Sequence, residues 1–164
     1  MKIAVTTDHA GFEALQALKS YLEELGHDVT DFGPKSLDMA DDYPDYMFPT
    51  ARAVANDDCQ MGIILGGSGQ GEAMAANRLK GVRCAVFYGP VSAKAPVDAE
   101  GHTSGDPYEI VKLSRQHNDA NMLSLSGRFL TVEEMQVAVK TWLETPFTGL
   151  ERHARRIKKL DEET

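Results

Sequence analysis

Cysteine is scarce: Cys59 and Cys84 are the only two in 164 residues, and no C-x-x-C spacing relates them. Neither a disulfide framework nor a zinc site is indicated, and each thiol reads as a small apolar core residue. Positive charge is also short. Lys and Arg total 17 against 25 Asp and Glu, for a net charge of −8. A general nucleic-acid binder needs a basic face, so that class is excluded. No apolar run approaches the roughly 18 residues of a membrane span. The opening MKIAVTTDHAG has one Lys and reaches Asp8 early, a poor signal peptide, so the expectation is a cytoplasmic protein with no membrane partner. Repeats and low-complexity tracts are missing too.

What is present is ordinary globular material, 42% hydrophobic and 26% charged. The length suits a single domain, 1–164. Short β-rich runs at Lys2–Thr7, Asp28–Phe32, Met61–Leu65, Val82–Tyr88 and Met122–Ser126 predict five strands. Helical spacing fills the gaps. Phe12, Leu15, Leu18, Leu22 and Leu25 form one face before Gly26 stops the helix. Tyr43-Pro44 opens a helix to about Asn56, and another runs from Glu72 to about Leu79. Thr131 caps Thr131–Leu143 with Glu134 in the capping-box position. A basic helix over about 149–162 closes the chain.

This alternation predicts an α/β, doubly wound, Rossmann-like fold, with a mainly parallel five-stranded sheet and helices on both faces. Ligands bind such sheets beyond the carboxyl ends of the strands. The unusual residues fall there: Asp8-His9, the glycine loop Gly66–Gly71, and Gly127-Arg128. One stretch breaks the rhythm. Residues 95–112 carry two Pro, two Gly and several acids, and read as an insertion loop with a short helical end. Such a loop is either a binding element or a tolerated surface insertion.

The glycine loop fails two nucleotide motifs. A dinucleotide fingerprint started at Gly67 would need glycine where Glu72 stands. The Walker spacing from Gly66 to Gly71 is right, but Glu72 replaces the lysine and would repel a phosphate. Its amides nevertheless form an anion nest at a helix start. If the anion arises only during reaction, the nest is an oxyanion hole. Glu72, kept ionised by the helix dipole, could then remove a carbon-bound proton, with Ser68 bonding the substrate oxygens. The alternative is a first-turn acid beside glycines that only allow close packing. Arg152, Arg155, Arg156, Lys158 and Lys159 form a local basic cluster that suits a small anion better than a polymer.

Seven segments, taken in order, carry a resemblance. They are Asp8-His9-Ala10-Gly11, Asp42-Tyr43-Pro44, Gly66–Glu72, Ala75-Ala76-Asn77, Ser114–Asp119, Gly127-Arg128 and Arg152-His153-Ala154-Arg155-Arg156. Together they resemble the sugar-phosphate isomerases that include ribose-5-phosphate isomerase type B and the galactose-6-phosphate isomerase subunits. The resemblance implies a homodimer or tetramer with active sites shared across subunits. It implies aldose–ketose isomerisation, ribose 5-phosphate to ribulose 5-phosphate, through a cis-enediolate and without metal or cofactor. Many members carry a Cys base at the position of Gly66; this chain resembles the branch reading G-G-S-G-x-G-E, in which glutamate takes that role. By that match Glu72 is the base and Ser68 handles the carbonyl oxygens. His117 with Asp8 opens the sugar ring. Asn118 and the amides of Gly67, Gly69 and Gly71 hold the enediolate. His9 and Arg128 bind phosphate, Arg152 and Arg156 reach across from the other subunit, and Tyr43 lines the sugar site. Alternatives stay open: a hexose 6-phosphate such as allose or galactose 6-phosphate, a non-catalytic sugar-phosphate sensor, a nucleotide binder, or a pair of related chains.

Overall fold

The computed structural model describes residues 1–91, 93, 94 and 100–162. Strand β1 (Lys2–Thr7) leads through a 3₁₀ turn (His9–Gly11) into α1 (Phe12–Glu24) and β2 (Asp28–Asp31). Then come α2 (Pro44–Ala55), β3 (Met61–Gly66), α3 (Gln70–Ala76) and β4 (Cys84–Phe87). The chain ends with α4 (Glu109–Asn118), β5 (Met122–Ser126), α5 (Val132–Glu144) and α6 (Glu151–Glu162). Among the described residues the strands make one sheet in the order β2-β1-β3-β5-β4, every pairing parallel.

Strand alternation divides the core into two layers. Ile3, Val5, Ile63, Leu65, Leu123 and Leu125 meet Leu15, Leu18 and Leu22 of α1, Val111 of α4, and Met135, Val139 and Trp142 of α5. On the other face Ala4, Ile64 and Met122 meet Met47, Ala51 and Val54 of α2, with Ala75 and Ala76 of α3. Small residues there let α2 and α3 come close. Helix α6 lies outside this sandwich, against α4.

From β1 the chain goes one way to β2 and then returns across to β3. The β1/β3 boundary is therefore the switch point, and a crevice opens beyond the carboxyl ends of those strands. The capping box of α5 is as its sequence predicts, Thr131 and Glu134 bonding each other's backbone. Differences from expectation are local. Strand β4 begins at Cys84 because the preceding Arg83 N–H donates to the Asn121 side chain at 2.8 Å. Helix α3 starts two residues before Glu72 and ends at Ala76. Of the irregular stretch 95–112, residues 95–99 lie outside the described residues, 100–108 hold no regular element, and 109–112 begin α4.

Candidate active site

The glycine loop is pinned to β5 through its carbonyls. The Ser124 and Ser126 hydroxyls donate to Gly69 O and Gly67 O at 2.7 and 2.8 Å. The Gly127 amide donates to Gly66 O at 2.8 Å. Gly69 holds φ +76, a conformation costly for any residue with a Cβ. Ser68 Oγ accepts from the Gln70 amide at 3.3 Å. Tyr43, just before Pro44 in the first position of α2, lays its ring 3.0 Å from where a side chain on Gly71 would begin. Arg128 does the same over Gly67 at 3.2 Å.

Glu72 turns back into the fold. A Cβ built on Gly66 would overlap its Oε1 and Cδ, so the carboxylate fills the space that a side chain at position 66 would need. The residue is 5% exposed, and Oε2 is buried without a hydrogen bond among the described residues. Burial pushes its pKa above the ordinary carboxylate range, and nearby Asp8 adds to that. The amides of Glu72 itself and of Gly69, with Arg128, pull it partly back. The expected ionising effect of the helix start is thus outweighed by desolvation. The result is a stronger base than a solvated glutamate.

Asp8 follows β1 and caps the 3₁₀ turn, is 6% exposed and accepts from the Ala10 amide at 2.9 Å. Next to it the His9 ring meets Asp41, Nδ1 to Oδ1, at 2.6 Å. That contact raises the His9 pKa, with desolvation and Arg128 opposing. Sequence reasoning named the neighbouring Asp42-Tyr43-Pro44 and missed Asp41. Asp8, His9 and Asp41 offer ligand-type atoms within 4.8 Å of one another, and the ring–carboxylate hydrogen bond itself accounts for much of that closeness.

His117, Asn118, Arg152 and Arg156 form a separate group. Helix α4 runs back against the strand direction, so its last turn returns to the amino edge of the sheet. There Arg83, at the start of β4, donates to Asn118 O and Asp119 O, each at 3.0 Å. Five ladder pairs, Gly62↔Met122 to Gly66↔Ser126, separate the two edges by four residue steps. That is about 13 Å at strand rise. His117 instead stacks on His153 of α6, centroids 4.3 Å apart and planes 11° off parallel. Arg152 Nε–H donates to His153 Nε2 at 3.3 Å, which requires a neutral imidazole. Burial and the nearby charges of His117, Arg152 and Arg156 lower the His153 pKa accordingly. A cleft of about 300 Å³ lies here, lined by Ala85, Val86, Ile110, His117, His153 and Arg156 among others. Within one chain, then, Asp8, His9, Tyr43, Ser68, Glu72 and Arg128 gather with Gly67, Gly69 and Gly71, while His117, Asn118, Arg152 and Arg156 gather elsewhere.

Comparison with known proteins bears on both groups. The Ribose/Galactose Isomerase family model matches residues 3–100 and 106–160. Ribose-5-phosphate isomerase B of Mycolicibacterium paratuberculosis is 36% identical over 162 residues, 99% of this chain and 91% of that protein. The crystal structure of a ribose 5-phosphate isomerase from Thermotoga maritima is 38% identical, with a TM-score of 0.83 over 98% of this chain and 97% of that one. The Mycoplasma genitalium ribose-5-phosphate isomerase B, solved with bound ribulose-5-phosphate, is 34% identical, with a TM-score of 0.84 over 99% and 95%.

Proposed function

The chain belongs to the ribose/galactose isomerase family, and from that premise we propose that it interconverts ribose 5-phosphate and ribulose 5-phosphate by way of a cis-enediolate. One observation carries the chemistry. Glu72 places a buried, basic carboxylate beside Gly66, and its Oε2 has no hydrogen-bond partner among the described residues. It takes the proton from C2 of the open aldose as the O1 carbonyl gains one, giving the enediol. The O2 proton then leaves, and Glu72 returns its proton to C1. Ser68 carries protons between O1 and O2. The amides of Gly67, Gly69 and Gly71, together with the partner subunit's Asn118, which travels with His117 at the end of α4, face the developing charge, where each donor is worth roughly 3–4 kcal/mol.

The site is composite. His117 stacks between the arginine-bearing turns of α6 and so travels with Arg152 and Arg156. A second copy brings all three to Asp8, His9, Tyr43 and Arg128. There His117 of the partner subunit and Asp8 open the furanose ring, while His9, Arg128 and the partner subunit's Arg152 and Arg156 grip the phosphate. A homodimer also covers apolar surface. Met74, Ile110 and Leu160, all more than half exposed, border clefts lined by the open edge strand β4.

A second reading keeps the reaction and lengthens the sugar. Glu100, within the irregular stretch, stands 3.8 Å from Arg152. A loop placed at the phosphate grip can set how far the phosphate lies from the reacting carbons, so a hexose 6-phosphate is the competing substrate. The test is an isomerase assay on purified protein, without added metal, comparing ribose 5-phosphate with allose and galactose 6-phosphates. The highest kcat/KM on ribose 5-phosphate supports the first reading. Preference for a hexose phosphate replaces it with the second, and turnover of none removes both.

A further inference from the structure

Asp41 has no role in the reaction as set out above, yet it is built in with care. Its side chain is only 3% exposed. A turn from Asp38 aims it: the Ala40 amide donates to Asp38 Oδ1 at 2.9 Å, and the Asp41 amide to Asp38 O at 3.3 Å. Its Oδ1 receives two hydrogen bonds, both from His9: the ring Nδ1–H at 2.6 Å and the backbone N–H at 3.3 Å. Its Oδ2 is buried with no hydrogen-bond partner among the described residues. A buried carboxylate whose whole hydrogen-bonding investment is in one histidine sets that histidine's tautomer and charge.

We propose that Asp41 is a positioning residue that holds the His9 imidazole doubly protonated, so that Nε2–H is a cationic donor to the substrate's phosphate. The inference deepens the proposed function and rests on its placing of the phosphate at His9. With Nδ1–H committed to Asp41, Nε2 is the nitrogen left for a ligand, and it makes no hydrogen bond among the described residues. A neutral ring in this orientation would turn a lone pair toward the phosphate and repel it. The charges around the ring are Asp41 before α2, Asp8 after β1 and Arg128 after β5. The first two favour the imidazolium and the third opposes it, which agrees with the raised pKa. Asp41 is the largest of these influences, and without it burial of the ring and the Arg128 charge would be opposed by Asp8 alone.

The test uses Asp41→Asn in the full chain, with sulfate as the anion, because sulfate keeps its charge across the pH range. The substituted amide can still accept from both His9 N–H groups but carries no charge to balance the imidazolium. The His9 ring resonance, assigned by its loss in His9→Asn, is titrated by NMR. Sulfate affinity is measured by calorimetry from pH 5.5 to 8.5. The expected result is a lower His9 pKa in Asp41→Asn. Its sulfate affinity should match the parent near pH 5.5 and fall about tenfold below it by pH 8, the scale of one charge-assisted bond. KM for the sugar phosphate should rise with it at pH 8 while kcat changes less than about threefold. The match at low pH shows that the variant is folded. An unmoved His9 titration overturns the role of Asp41 whatever His9 does. A lowered titration with parent-like sulfate binding also overturns the inference. Parent-like binding by His9→Asn as well would then trace that failure to the placing of phosphate at His9.

Discussion

At the carboxyl edge of the sheet, Glu72 and Asp8 are 5% and 6% exposed, and Asp41 is buried against His9. At the corner of α4 and α6, the Arg152 side chain is 34% exposed, Arg156 is exposed, and His117 is half-buried and stacked on His153. Both regions carry residues assigned to one reaction. The first is finished by a single chain: its loop carbonyls, its carboxylates and His9 all have partners or fixed places. The second presents a neutral buried imidazole as a platform and leaves cations facing outward. Under the proposed function, the base is prearranged at the cost of desolvating it, whereas the proposed phosphate grip waits for a second copy to complete it.

The sharpest way to break this contrast is Glu72→Gln. Turnover should fall at least about a hundredfold, with KM changed little, because general-base loss acts on the chemical step. Stability should move the other way. The Glu72 pKa is raised in the fold, so the folded state binds more protons than the unfolded chain between the ordinary value, 4.5, and the raised one. Stability is therefore lost as pH rises through that window, and the deficit persists at neutral pH. Glu72→Gln should melt above the parent at pH 7.5, and the gap should close near pH 4. Equal melting temperatures at both pH values would show that the carboxylate is not desolvated, and the first half of the comparison would fail.

Next in size is a mixing experiment that tests whether the two regions meet between copies. Glu72→Gln and His117→Ala should each be nearly inactive alone. After unfolding and refolding together in equal amounts, random pairing makes half the dimers mixed, each with one intact composite site. Activity should recover to about a quarter of the parent. No recovery would place His117 and Glu72 in the same chain's site, against the edge-to-edge separation.

Much of this was legible in the sequence, and the limit has a physical form. Strand and helix order followed from the apolar period, and the Thr131 cap from its local chemistry. The loop's link with Asp8, His9 and Arg128 followed because all sit at carboxyl ends of parallel strands, and topology brings those ends together. Helix α4 was harder to see, since its face is polar and it opens inside a Pro- and Gly-rich stretch. Asp41 was hidden for another reason: a turn residue among Asp38, Asp41, Asp42 and Asp45 carries no periodic mark, and only the fold reveals which acid meets His9. The split of His117 from Asp8 also needed the fold. Sequence order places no residue at one edge of the sheet or the other until helix direction is known.

Arg152→Ala should weaken sulfate and sugar-phosphate binding by about tenfold, the lower end for a charge-assisted bond at a partly exposed side chain. kcat should stay near the parent value. Unchanged affinity would remove Arg152 from the grip and leave its bond to His153 as a packing contact.

The smallest expected effect belongs to Arg155→Ala, and it separates a grip from a charged patch. Arg152 and Arg156 lie four residues apart on one helix face, next to the His117–His153 stack. Arg155 points elsewhere: its side chain is 58% exposed and lies 3.7 Å from Glu151 within its own helix. Such a pair contributes little to stability, and the charge is screened by solvent. Affinity and kcat should both stay within about twofold of the parent, since a surface change away from any site is worth roughly 0.5 kcal/mol or less. If Arg155→Ala instead costs as much as Arg152→Ala, and both losses shrink in high salt, α6 acts through its summed field. The cations would then steer the anion without holding it, and no particular face of α6 would need to meet the carboxyl edge of another copy.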